Sequence, residues 1–222
     1  MQVVHSEPRN SKLRMRMSAY AWCIPAMSAD SVHPRRALLD PPGGQLLWLI
    51  VGLELATFTI IGALLAWYRG QYAAEFAQAQ THLDPNVGLS LTALLLSSGA
   101  LAASGVHAFR AERLVPARRR LLAAAGLGIV FVVVKFRDYS IHPAQGHGLG
   151  NGEFWDAYVL VTGFHFAHVL VGIVLLLAVG WRIGRRPFVD PETAVAGSAL
   201  FWHMCDLAWF FLFPLFYAKA GA

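Results

Sequence analysis

Charge is what this chain has least of. Only 14% of its 222 residues are Asp, Glu, Lys or Arg, against about one quarter in an ordinary soluble domain. So few ionised groups cannot cover the surface of a water-soluble globule, and the mean hydropathy is positive at +0.49. An apolar content of 56% excludes a disordered chain or a collagen-like fibre. Cysteine is nearly absent as well. Cys23 and Cys205 are far apart and no CxxC or CxxCH spacing occurs, which excludes zinc ribbons, thioredoxin-like redox chemistry and c-type haem attachment. Both read as free thiols. No internal repeat is visible. The formal net charge is +5, and whether it marks a nucleic-acid partner depends on where the basic residues sit.

What the chain has instead is long apolar runs. Residues 46–67 contain one charge, Glu54; residues 85–109 and 157–181 contain none; residues 193–218 contain only Asp206. A bilayer core needs about 20 apolar helical residues, so these four read as transmembrane helices. Residues 121–134 are uncharged but short. Arg118, Arg119 and Arg120 on one side and Lys135 and Arg137 on the other can snorkel, so a third span in the chain order is expected near residues 117–139. The predicted fold is all-α, five transmembrane helices in one bundle.

The basic residues orient it. Fourteen of the eighteen fall in the N-terminal part, the second-to-third connection and the fourth-to-fifth connection; four, Arg69, Lys135, Arg137 and Lys219, fall on the other side. The positive-inside rule then puts the N-terminus in the cytoplasm and the C-terminus outside. Topology explains the basic balance, and no nucleic-acid partner is expected. Residues 1–43 differ in texture: charged, Pro-containing and aperiodic. They read as a disordered tail, or as a start assigned too early, with Met17 and Met27 as alternatives. A faint signal-peptide pattern is interrupted by Pro25. The membrane domain is expected over residues 44–218.

Ionisable groups at membrane depth are expensive and therefore candidate functional sites. Glu54 lies about 12 Å along the first span, as a proton-exchanging carboxyl or as a hydrogen-bonded tie between helices. His203 and Asp206, three apart, share a helical face; they read as a charge pair or as a structural pair in an aromatic wall. His203 falls near the depth of Glu54 and is the first-choice partner for it, with His165 or His168 second. His165 and His168 share a face with Thr162 and Gly172. They read as haem or metal ligands, or as interhelical hydrogen-bonding groups beside Gly163 and Gly172, where a neighbouring helix can approach closely. No metal set is completed by cysteine, methionine or carboxylate. The second span is rich in small residues from Ser97 to Gly105, a packing surface. His107 near its end reads as interfacial, and His142 and His147 as solvated loop residues.

Five segments in order then resemble a known family. Gly52-Leu53-Glu54-Leu55-Ala56-Thr57-Phe58 resembles the first-helix Glu motif of short, five-helix subunit III proteins of haem–copper oxidases. Leu91-Thr92-Ala93-Leu94-Leu95-Leu96-Ser97-Ser98-Gly99 with His107-Ala108 resembles their NTLLLLSSG…AH pattern, with Leu91 for Asn. Lys135-Phe136-Arg137-Asp138-Tyr139 resembles the Q/K-x-x-E-Y helix end, with Asp for Glu. Thr162-Gly163-Phe164-His165…His168-Val169…Gly172 and Trp202-His203…Asp206…Trp209 are similar to GxHxxHVxxG and WHxxDxxW. The resemblance implies an accessory, non-catalytic subunit in the bacterial inner membrane, with no haem or copper of its own. Those cofactors belong to the catalytic partner, subunit I (with subunit II), of a cytochrome c or quinol oxidase. It implies stabilisation of that subunit, help with proton uptake, and contact with membrane lipids. The first two spans are expected to dock on the partner. A branch of the family accompanies nitric oxide reductases, and Lys135 and the Leu160-Val161-Thr162-Gly163 lead-in look closer to that branch. The competing classes are an autonomous b-type cytochrome using His165 or His168 with His203, and a small proton-coupled transporter using Glu54.

Overall fold

The computed structural model describes residues 43–218. The tail expected over residues 1–43 lies outside them apart from Gly43, as do Cys23, Lys219 and the N-terminal basic residues.

Among the described residues the secondary structure is helical throughout. Helix α1 spans Gln45–Gln71, α2 Ala73–Ala79, a single 3-10 turn Gln80–His82, α3 Pro85–Arg110, α4 Leu114–Ala144, α5 Glu153–Arg182 and α6 Pro191–Tyr217. Helices α1, α3, α5 and α6 are long and apolar enough to cross a membrane. Helix α4 falls short on composition, because its uncharged run is confined to residues 121–134. The helix itself is 31 residues, or about 46 Å at 1.5 Å per residue.

Local chemistry sets the boundaries. Asp84 and Asp190 cap α3 and α6 and each is followed by proline, whose missing N–H costs nothing in the first turn. The Asp84 carboxylate accepts from the Asn86 N–H at 2.9 Å and that of Asp190 from the Thr193 N–H at 3.1 Å. The Thr193 hydroxyl and N–H hold the Asp190 carboxyl below the usual carboxylate range. Helix α3 ends in a tight reversal. Arg113 N–H donates to the Ala108 carbonyl at 2.9 Å, and Glu112 takes a left-handed φ of 57° where glycine is usual.

Helix α6 is the hub: α3, α5 and α1 pack on it, while α4 packs on α3 and α5. Small residues permit the approach. The Trp202 indole lies against Gly128 of α4 and Gly172 of α5, where an added Cβ would come within 2.6 and 2.7 Å of it. Gly163, by contrast, faces open space, so the close approach expected there occurs only at Gly172. Ser98 donates to the Ala124 carbonyl at 2.7 Å, tying α3 to α4, and Trp209 Nε1 donates to Thr92 Oγ1 at 3.0 Å, tying α6 to α3.

Helix α1 is peripheral. It buries only Val51, Phe58 and Leu65, a seven-residue spacing that gives one narrow seam. Its end is fastened by Arg69, which donates to the carbonyls of Leu215 (3.3 Å) and Ala218 (2.9 Å) at the end of α6. A cation is favoured there by the negative end of the helix dipole.

Candidate functional site

Three polar clusters stand inside this apolar scaffold. The first joins α1 to α5. The narrow seam of α1 turns Glu54 inward one turn before Phe58, and its Oε2 lies 3.2 Å from His168 Nε2. The structure therefore brings Glu54 to His168 and not to His203. The imidazole is fixed from behind, since His168 Nδ1 stands 2.9 Å from the Phe164 carbonyl. A carbonyl only accepts, so Nδ1 carries hydrogen. Contact with Glu54 then needs one more proton, held on the carboxyl or on Nε2. The rings of Phe58, Phe164 and Phe201 surround His168. Glu54 remains 26% exposed, so the pair lies open at the edge of the bundle.

His165, one turn away, is fully buried among Phe58, Phe131 and Trp209, and neither ring nitrogen has a hydrogen-bond partner. The helical face predicted for Thr162, His165 and Gly172 is buried, with His168 at its margin. Among the described residues no group of three or more His, Cys, Asp or Glu stands close enough to hold a metal ion.

The second cluster joins α6 to α3. His203 Nδ1 is 3.4 Å from Asp206 Oδ2. The two do not sit inside the aromatic wall of α6: Trp202 and Trp209 are buried on its other sides. They face Gly99 of α3, where a Cβ would collide with Asp206 Oδ2 and come within 3.3 Å of His203 Cε1. Asp206 is 8% exposed and His203 43%. His107 stands exposed in the last turn of α3, apart from all three clusters.

The third cluster, at the other end of the bundle, is the densest. Lys135 is 1% exposed. Its ammonium lies 2.9 Å from Asp138 Oδ2, donates to the Tyr158 hydroxyl, and reaches the Tyr217 hydroxyl at 3.4 Å. Tyr158 in turn donates to Asp138, and its oxygen is 2.9 Å from that of Tyr217. His142 places Nδ1 2.9 Å from the Asp138 carbonyl and 3.3 Å from its carboxylate. His142 is thus half-buried rather than solvated, and both it and His147 lie against the Trp155 ring. The sequence marks Lys135 and Asp138 as a helix-end motif, whereas both lie inside α4, which runs on to Ala144. Tyr158, Tyr217 and His142 had not been joined to them. The available signal was two tyrosines in apolar spans, each needing a partner for its hydroxyl.

Among the described residues these clusters are ionic and hydrogen-bonding contacts, the first and third of them joining different helices. The chain is 30% identical over 198 residues to the cytochrome c oxidase subunit 3 of Thermostichus vulcanus, covering 86% of this chain and 92% of that one. It is 32% identical over 190 residues to the protein of the same name from Rhipicephalus sanguineus, covering 77% and 72%. It is 25% identical over 168 residues to the quinol oxidase subunit 3 of Bacillus spizizenii, covering 75% and 81%. The family model described as cytochrome c oxidase subunit III matches residues 53–220, a stretch that takes in all three polar clusters, and to that family this chain belongs.

Proposed function

We infer that this chain is a non-catalytic accessory subunit of a haem–copper terminal oxidase in the bacterial inner membrane. Haem and copper are carried by its catalytic partner, which it stabilises and to which it helps deliver protons. Family membership supports the accessory role. The observation that carries the proton part is the Glu54–His168 contact of 3.2 Å, with Nδ1 of the same ring committed to a carbonyl. That geometry holds one transferable proton in a group of no net charge, which lowers the cost of keeping it in hydrocarbon. Helix α4 acts as a fifth span. Three residues separate it from α3, it packs along both α3 and α5, and its buried Lys135 is neutralised by Asp138. The N-terminus is then cytoplasmic and the C-terminus outside.

A tagged chain purified in mild detergent tests the reading. It should bring down a haem-containing oxygen-reducing complex; recovery alone, with nitric oxide reductase subunits, or with stoichiometric haem of its own would overturn it. Glu54→Gln should leave the complex assembled and slow its proton uptake; unchanged uptake would reduce the pair to a structural tie. A reporter active only in the cytoplasm should work when fused at Arg119 and fail at Lys219.

A further inference from the structure

A groove runs along the outside of the bundle between α3 and α6. Two adjoining cavities, about 270 and 350 Å³, meet at His203; the first reaches Trp48 and Arg110, and the second is lined by Leu96, Gly99, Ala100, Asp206, Leu207 and Phe210. We propose that this groove seats a transmembrane helix of the oxidase complex, anchored by a hydrogen-bond donor on that helix that binds His203. The proposal rests on the accessory-subunit reading and names the surface through which the subunit is held.

The anchor follows from the ring chemistry. Nδ1 faces Asp206 Oδ2 at 3.4 Å; with that carboxyl ionised and the ring neutral, Nδ1 carries hydrogen and Nε2, on the other side of the ring, is left to accept. At 43% exposure the ring is the most open polar group of the deeper cavity, where Asp206 is only 8% exposed. Behind it Asp206 is nine-tenths buried, with its Oδ1 lacking any partner. A carboxylate and an imidazole at membrane depth demand donors.

Depth selects the occupant. The Arg110–Glu192 ion pair, 2.7 Å long and about half exposed on both sides, marks the polar boundary. His203 lies eleven residues further along α6, about 16 Å deeper. Acyl chains at that level carry no donor, and phospholipid headgroups lie at the boundary. A protein helix can bring a hydroxyl, amide, indole or cationic donor there. The wall of the groove suits a helix too. On α3 the wall between Leu96 and Arg110 is Gly99, Ala100, Ala103 and Val106, and small side chains let two backbones approach closely. On α5 the three most exposed large apolar side chains, Leu160, Val174 and Val171, are aliphatic, a surface suited to lipid.

The test uses the whole complex purified in mild detergent. A photoreactive p-benzoylphenylalanine replaces Leu207 or, as a control, Leu160. Leu207 should cross-link to one defined segment of another subunit and Leu160 to lipid. Lipid adducts alone at Leu207, or adducts with a second copy of this chain, overturn the proposal even if the wild-type chain co-purifies, so its failure is distinct from failure of the accessory reading. Separately, His203→Leu should lower the share of this chain retained by the complex about tenfold, the equivalent of one strong polar contact. His203→Gln, which keeps an acceptor, should restore retention, and Ala100→Phe, which fills the groove without touching the polar pair, should lose it. Equal retention by all three variants overturns the proposal.

Discussion

The Lys135 cluster and the Glu54–His168 pair are built on opposite plans. Around Lys135, which is 1% exposed, residues of three helices make six hydrogen-bonding or ionic contacts, three of them to its ammonium and three among its partners. Glu54 has one contact, on a helix that buries three residues. A buried charge whose partners are all satisfied is costly to disturb and has nowhere to send its proton. A half-open pair at the margin loses little when altered and has a route to the outside. The difference teaches that polar groups of equal cost to a sequence reading divide into braces and exchangers according to their partners.

The largest expected effect breaks the brace. Lys135→Ala leaves Asp138 and two tyrosine hydroxyls buried without their cation and should cost about 3–5 kcal/mol. It is read as loss of the chain from membranes and a lower melting temperature in detergent. The double replacement Lys135→Met with Asp138→Leu should recover most of that loss, because removing both charges removes the unpaired one. Next, Glu54→Leu should cost about 1–2 kcal/mol, the penalty of one acceptor left on His168. The same melting experiment measures it, and a loss equal to that of Lys135→Ala would erase the contrast. Smallest, Tyr217→Phe removes two contacts, with Lys135 and with Tyr158, from a network with others in reserve and should cost about 1 kcal/mol, at about 0.6 kcal/mol for each polar contact within a membrane bundle. A loss of several kcal/mol would show the network to be a single unit rather than a redundant one.

Much of the fold was legible. Apolar runs at least 22 residues long can only be helices in a bilayer, and each of the four lies within or beside a helix of the structure. Helix α4 was legible only through its flanking charges, because Lys135 is paired by a residue one turn on and no hydropathy sum sees a pairing. The short α2 and its following turn, rich in Ala and Gln, gave no apolar periodicity to read. The candidate residues were legible as ionisable groups in apolar spans. Their partners were less so. Helix rise put Glu54 and His203 at similar depths, but rise is silent on which neighbour a helix faces. The narrow seam of α1 turned Glu54 to α5, and Gly99 drew His203 and Asp206 to α3 instead.

The placement of α1 has a consequence for biosynthesis. Its main contacts are with α6, which leaves the ribosome after the other described helices; Arg69 meets Leu215 across 146 positions. During synthesis α1 must therefore wait in lipid with its seam uncovered. It is among the most apolar of the four evident spans and the least buried, whereas α6 is the least apolar and the most buried. Helix α1 is thus composed to insert by itself, while α6, carrying His203 and Asp206, enters a slot that the described helices before it have already lined.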